Sequence, residues 1–92
     1  PFTLRLMVVT AQWPGATVQE IEQLVTDPIE RAVQEVPYFY HTRSYSRPGE
    51  TVIFVFLKDH TRSHLVPESW YQVRKRVGDI RHTLPQGVIG PQ

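Results

Sequence analysis

The chain has 92 residues, of which 40% are hydrophobic and 21% charged; this composition folds around one modest core and argues against a disordered segment. Ten Lys and Arg against nine Asp and Glu leave a formal charge of +1, which makes no bulk case for nucleic acid or for a polybasic membrane anchor. With no cysteine, disulfide scaffolds, thiol catalysis and cysteine-held zinc or iron–sulfur sites are excluded.

Phe2–Gln12 reads as a strand that is apolar on both faces, with Leu4, Leu6, Val8 and Thr10 on one and Arg5, Met7, Val9 and Ala11 on the other. Trp13-Pro14-Gly15-Ala16 stops it. Thr17 with Glu20 fits a capping box. Val18, Ile21, Leu24, Val25, Ile29, Ala32 and Val33 then follow at helical spacing. Pro28 removes an intrahelical hydrogen bond, so Thr17–Glu35 is expected as one helix, bent or restarted near Asp27 and ended by Pro37. Tyr38–Ser46 and Thr51–Lys58 read as two strands of a hairpin around Arg47-Pro48-Gly49-Glu50. After a polar loop, Pro67 opens a second helix with the stripe Trp70, Val73, Val77, Ile80 and Leu84. Leu84-Pro85-Gln86-Gly87 ends it, and Val88–Gln92 leaves as an extended tail. The order strand, helix, strand, strand, helix supplies five of six elements of an α+β, ferredoxin-like split βαβ domain, with the fourth strand missing or supplied from elsewhere.

Two helices cover only one face of such a sheet, yet the third strand offers Val52, Phe54 and Phe56 on one face and Ile53, Val55 and Leu57 on the other. Burying one large apolar side chain is worth ~1.5–3 kcal/mol. The second face is therefore expected to meet another domain, another subunit or an apolar ligand.

Candidates for chemistry are sparse. His60 and His64 are four apart, a zinc spacing if helical, but they fall in a polar loop and read as solvated, as do His41 and His82. Glu20, Glu22, Asp27 and Glu30 populate the outer side of the first helix, with nothing to mark an acid–base pair. Arg74-Lys75-Arg76 with Arg81 is a basic run diluted by Glu68 and Asp79. An acylphosphatase-like phosphate cradle is missing at Gln12-Trp13-Pro14-Gly15-Ala16, and the first strand, Leu4–Ala11, lacks the stacking ring of an RNA-recognition sheet. No catalytic residue, cofactor or metal site is assigned.

The order of motifs is more specific than any one of them: Trp13-Pro14-Gly15-Ala16-Thr17, then Val25-Thr26-Asp27-Pro28-Ile29-Glu30, then Val52-Ile53-Phe54-Val55-Phe56, then Leu84-Pro85-Gln86-Gly87-Val88 and Gly90-Pro91. Over essentially all 92 residues this resembles the first porter subdomain of the resistance–nodulation–division (RND) efflux transporters, in their AcrB-type hydrophobe/amphiphile branch. The run Val66–Lys75 is similar to that of one bacterial subset of those pumps.

The resemblance implies that residues 1–92 are one periplasmic porter subdomain of a bacterial inner-membrane pump. That pump would be a homotrimer exporting drugs or amphiphiles in exchange for protons, with a periplasmic adaptor and an outer-membrane channel as partners. The opening Pro1-Phe2-Thr3, without Met or signal peptide, and the absence of an apolar run longer than the six residues Val52–Leu57 agree with a piece cut from such a parent. The resemblance places Tyr71, Lys75, Gly78 and His82 on a helix lining the central pore. It places Thr10, Gln12, Arg43, Tyr45, Ile53 and Val55 on a substrate-pocket face of the sheet. The ferredoxin-like order, with no convincing fourth strand in Val88–Gln92, leaves one edge of Phe2–Gln12 open; a distant, later segment of the parent is expected to fill it, and in an isolated domain that edge would drive self-association. The alternative is a standalone ferredoxin-like module that senses a small molecule and regulates an attached enzyme.

Overall fold

The computed structural model describes residues 4–92, so the Phe2 end of the expected first strand lies outside the described residues. Strand β1 runs Leu6–Gln12. Trp13-Pro14-Gly15 then turns the chain, with Gly15 at φ +88°, a conformation that L side chains rarely adopt.

The first helix begins with the expected capping box: Thr17 Oγ1 accepts from the Glu20 N–H (3.1 Å), and the Thr17 N–H donates to Glu20 Oε1 (2.8 Å). It comprises α1 (Val18–Ile21), a π turn (Glu22–Thr26) and α2 (Asp27–Val33). Pro28 has no N–H for the carbonyl one turn back, and the helix absorbs the loss by widening, so that the Asp27 N–H reaches the Glu22 carbonyl five residues earlier. The extra residue rotates the remainder of the helix. Thr26 turns inward and is 2% exposed, whereas Leu24, expected on the apolar stripe, points out at 45%. Thr26 then meets the sheet through a hydroxyl cluster: its Oγ1 donates to Thr51 Oγ1 (2.8 Å) and lies 3.0 Å from Ser46 Oγ.

Strands β2 (Phe39–Arg47) and β3 (Glu50–Leu57) are joined by Pro48-Gly49. Gly49 sits at φ +81°, as the third residue of a type II turn requires. This two-residue link sets Arg47 opposite Glu50, Tyr45 opposite Val52 and Arg43 opposite Phe54. The sheet order is β1-β3-β2, antiparallel throughout. The hairpin tip is tied to the first corner, where the Trp13 N–H donates to the Gly49 carbonyl and the Gly49 N–H to that of Ala16.

A loop stapled to β1 by the Arg5 guanidinium, which donates to the Thr61 carbonyl (2.9 Å), leads through a 3₁₀ turn (Ser63–Leu65) into α3 (Val66–Asp79). Pro67 lies in its first turn, and Ser69 Oγ donates to the Pro37 carbonyl. Helix α3 buries Val66, Ser69, Val73 and Val77; of the expected stripe, Trp70 and Ile80 are only partly covered, and Leu84 lies past a second 3₁₀ turn, Arg81–Thr83. Both helical layers lie on one face of the sheet. The core between them holds Val9, Ala11, Ile21, Val25, Ile29, Val33, Ile53, Val55, Val73 and Val77.

Among the described residues the sheet has three strands, as expected, but the tail is not free of it. Ile89 exchanges both backbone hydrogen bonds with Gln12 (2.7 and 2.9 Å), and Gln92 does so with Thr10 (2.9 and 3.0 Å). Gly90 and Pro91 together stand against the single residue Ala11, a bulge. Gly90 is at φ +94°, and a Cβ there would come within 3.1 Å of the Thr10 carbonyl oxygen. No helix among the described residues is long and apolar enough to cross a membrane.

Candidate functional site

The uncovered face of the sheet follows from the pairing register. Residues directly opposite one another share a face, so Gln12, Glu50 and Arg47 form one row across the sheet, and Thr10, Val52 and Tyr45 the next. Val8, Phe54 and Arg43 form a third, and Leu6, Phe56 and His41 a fourth. The centre is aromatic. Tyr45, 62% exposed, sets its ring edge-on to Phe54 at 5.8 Å, and the imidazole of His41 stacks on Phe56 at 4.6 Å, with Tyr40 edge-on to His41 at 4.5 Å. Polar groups lie around this centre: Arg43 amid the rings, Thr10 and Gln12 towards one end, and Arg47 paired with Glu50.

Four of the six residues expected on a ligand-facing sheet surface, Thr10, Gln12, Arg43 and Tyr45, share this face. Ile53 and Val55 do not, contrary to that expectation. Both are 0% exposed and packed under the helices, because along β3 they alternate with Val52, Phe54 and Phe56. Val52, Phe54, Phe56 and His41 are the residues that share the face with the other four. The signal was available: a two-residue Pro48-Gly49 turn pairs Arg47 with Glu50, and counting back by twos brings Tyr45 to Val52 and Arg43 to Phe54.

A second surface lies on α3. Tyr71, Lys75 and Gly78 are exposed along it, and His82 follows in the 3₁₀ turn, also exposed. Gly78 has ordinary helical φ, and a Cβ added to it would meet nothing within 4 Å. A helical glycine costs roughly 0.5–1 kcal/mol relative to alanine, and nothing among the described residues requires one here. His60 and His64 are exposed, and among the described residues no group of three or more His, Asp or Glu is placed to hold a metal ion.

Residues 2–92 match the model of the AcrB/AcrD/AcrF family. The chain belongs to that family. It is thus a segment from the porter region of an RND-type efflux transporter, and no catalytic family is indicated. Protein HelA of Legionella pneumophila is 33% identical over 86 residues, covering 90% of this chain and 8% of that protein. The cation efflux system protein CzcA of Alcaligenes sp. (strain CT14) is 36% identical over 76 residues, covering 83% and 7%. A cobalt-zinc-cadmium resistance protein CzcA of Cupriavidus metallidurans is 34% identical over 76 residues. An X-ray structure of a heavy metal efflux pump superposes with a TM-score of 0.76 at 29% identity, covering 94% of this chain and 9% of that one. The chain therefore spans less than a tenth of the length of these relatives. The names of the two CzcA relatives and of the solved pump refer to cation and heavy-metal efflux or resistance, and the expected hydrophobe/amphiphile branch finds no support in them. Family membership over nearly the whole chain does not favour the standalone sensing module.

Proposed function

We propose that this chain is a periplasmic porter subdomain of a proton-driven, homotrimeric inner-membrane pump that works with a periplasmic adaptor and an outer-membrane channel. Its outer sheet face forms part of the wall of a pocket for hydrophobic or amphiphilic molecules. The observation that carries the cargo class is the ring cluster of Tyr45, Phe54, His41 and Phe56, stacked on the face that no helix covers. Aromatic and apolar walls bind amphiphiles by area and tolerate varied shapes, while Arg43 and Thr10 supply the few polar contacts that orient a headgroup. Tyr71, Lys75 and Gly78 on α3, with His82 in the turn that follows, face their symmetry mates around the pore. Gly78 suits such a place, since a bare backbone permits close approach by another chain and nothing within this chain demands it.

A second reading, that the cargo is a heavy-metal cation, is favoured by the names of the two CzcA relatives and of the solved pump. One experiment separates the two. The full-length pump, reconstituted in vesicles with an imposed proton gradient, is offered a fluorescent amphiphile or zinc, cobalt or cadmium. Amphiphile movement that falls severalfold in Phe54→Ala supports the pocket. Metal movement alone, indifferent to Phe54→Ala, supports the second reading.

A further inference from the structure

Helix α3 carries opposite charge on its two flanks. Its buried side, Val66, Ser69, Val73 and Val77, lies towards the sheet, and Tyr71, Lys75 and Gly78 are exposed on the opposite side. On one flank Arg74, together with Arg81 just past the helix end, borders a groove beside Met7 and Val9 of β1, and no carboxylate side chain lines that groove. Arg81 Nη2 donates to the Pro91 carbonyl (3.0 Å), which holds the guanidinium on this flank. On the other flank Asp79, with Glu35 and Arg76, lines the notch between α3 and the end of α2. Glu35 engages Arg76 at 3.6 Å, and Glu68 lies on the same flank as Asp79, accepting from Gln72 Nε2 (2.9 Å). The side chains of Arg74 and Asp79 are exposed and make no hydrogen bond or ion pair among the described residues. The flank towards β1 is thus basic, and the flank towards α2 carries an excess of carboxylates.

We infer that each α3 sets its Arg81 flank against the Asp79 flank of the next copy of this chain, so that Arg81 and the neighbour's Asp79 form an intersubunit ion pair repeated around the pore. The inference rests on the reading above, in which three copies surround an axis that Tyr71, Lys75 and Gly78 face. Rotation about such an axis never brings a flank against its own copy. It places the β1 side of one α3 beside the α2 side of the next, a head-to-tail contact that closes into a ring. Two flanks of like charge would repel in that contact, whereas a basic flank against an acidic one is complementary and fixes which copy lies on which side. Symmetry-related helices that run along the axis meet at equal height. Asp79 and Arg81 differ by only about 3–4 Å of rise, a gap that an arginine side chain spans. Arg74, about 7 Å below Asp79 and 9 Å above Glu68, adds to the field of the basic flank without a carboxylate at its own level.

The test uses the full-length pump in a cysteine-free background. Asp79→Cys combined with Arg81→Cys is expected to give disulfide-linked dimers and trimers on mild oxidation with copper phenanthroline, read on a denaturing gel. The two positions lie on opposite flanks of one helix end and cannot close on each other within a chain. Each single variant should give severalfold less coupled product, because its cysteine faces an unlike flank. Lys75→Cys alone reports separately whether the exposed side of α3 faces the axis. All three side chains are exposed, so the substitutions leave the core intact. Coupling by Lys75→Cys while the double variant stays monomeric on the gel overturns the inference and leaves the pore reading standing. Coupling by Asp79→Cys or Arg81→Cys alone, as strong as that of the pair, overturns it as well. If Lys75→Cys and the double variant both fail to couple, the inference and the pore reading fall together.

Discussion

Replacing Ile53 with alanine and, separately, Phe54 with alanine tests which face of β3 is the core. Ile53 is 0% exposed and lies in the cluster with Val9, Val25, Ile29 and Val55. Truncating a fully buried isoleucine costs about 2–5 kcal/mol, transfer and cavity together. A 92-residue domain has roughly 5–14 kcal/mol of stability in all, so the loss is a large fraction of it. At about 4–8 °C per kcal/mol for a domain of this size, the melting temperature should fall by at least about 8 °C. Phe54 is only half-buried, and its ring edge faces Tyr45 in solvent; losing an aromatic pair of this kind costs about 0.5–1.5 kcal/mol plus a share of area burial. Urea unfolding of the purified 92-residue chain, followed by Trp fluorescence, gives both values on one scale. Ile53→Ala should be the more damaging of the two, and Ile53→Asp should not fold. An Ile53→Asp protein that folds with near wild-type stability would refute the face assignment.

Thr26→Val removes the centre of the Thr26–Ser46–Thr51 hydroxyl cluster and should destabilise the chain by about 1–3 kcal/mol, with Thr26→Ser recovering most of it, as read by denaturant midpoints. Thr17→Ala breaks the capping box and should cost about 1 kcal/mol in the same assay. Gly78→Ala should stabilise the 92-residue chain slightly, by up to about 1 kcal/mol, because its Cβ meets nothing there, whereas Gly78→Phe should weaken trimer assembly in the full-length pump, measured by size-exclusion chromatography with light scattering. Lys75→Cys, on the exposed stripe, should form intersubunit disulfides in the pump far more readily than Val73→Cys, which is 1% exposed; equal yields would contradict the orientation of α3.

Much of the fold was legible because strong local signals coincided with the global arrangement. The capping box at Thr17, the Pro-Gly turn between β2 and β3, and the Val73/Val77 stripe each point to one answer from a few neighbouring residues. The π turn was legible only as a disturbance. Pro28 announced that the helix must bend or restart, but not that it would widen by one residue and so exchange Leu24 for Thr26 at the sheet. Both faces of β3 are apolar, so hydrophobicity alone could not say which one the helices cover; the distinction lies in pairing register, a long-range property that the turn between β2 and β3 sets. The tail's pairing was hidden for a related reason. Gly90 and Pro91 look like strand breakers, and they become tolerable only as a bulge against Ala11, with the bonds carried by Ile89 and Gln92 on either side.

The ring-lined sheet face is proposed as part of the pocket of an amphiphile exporter. It is tested most directly in a host lacking its own efflux pumps and supplied with the full-length gene, together with its adaptor and outer-membrane channel. Susceptibility is measured to a panel of dyes, detergents and hydrophobic antibiotics, and to zinc, cobalt and cadmium. A pocket of this kind predicts resistance to several amphiphiles, lost in part by Phe54→Ala and Tyr45→Ala at unchanged pump abundance, with metal tolerance unaltered. Resistance confined to the metal cations and insensitive to both substitutions would contradict it.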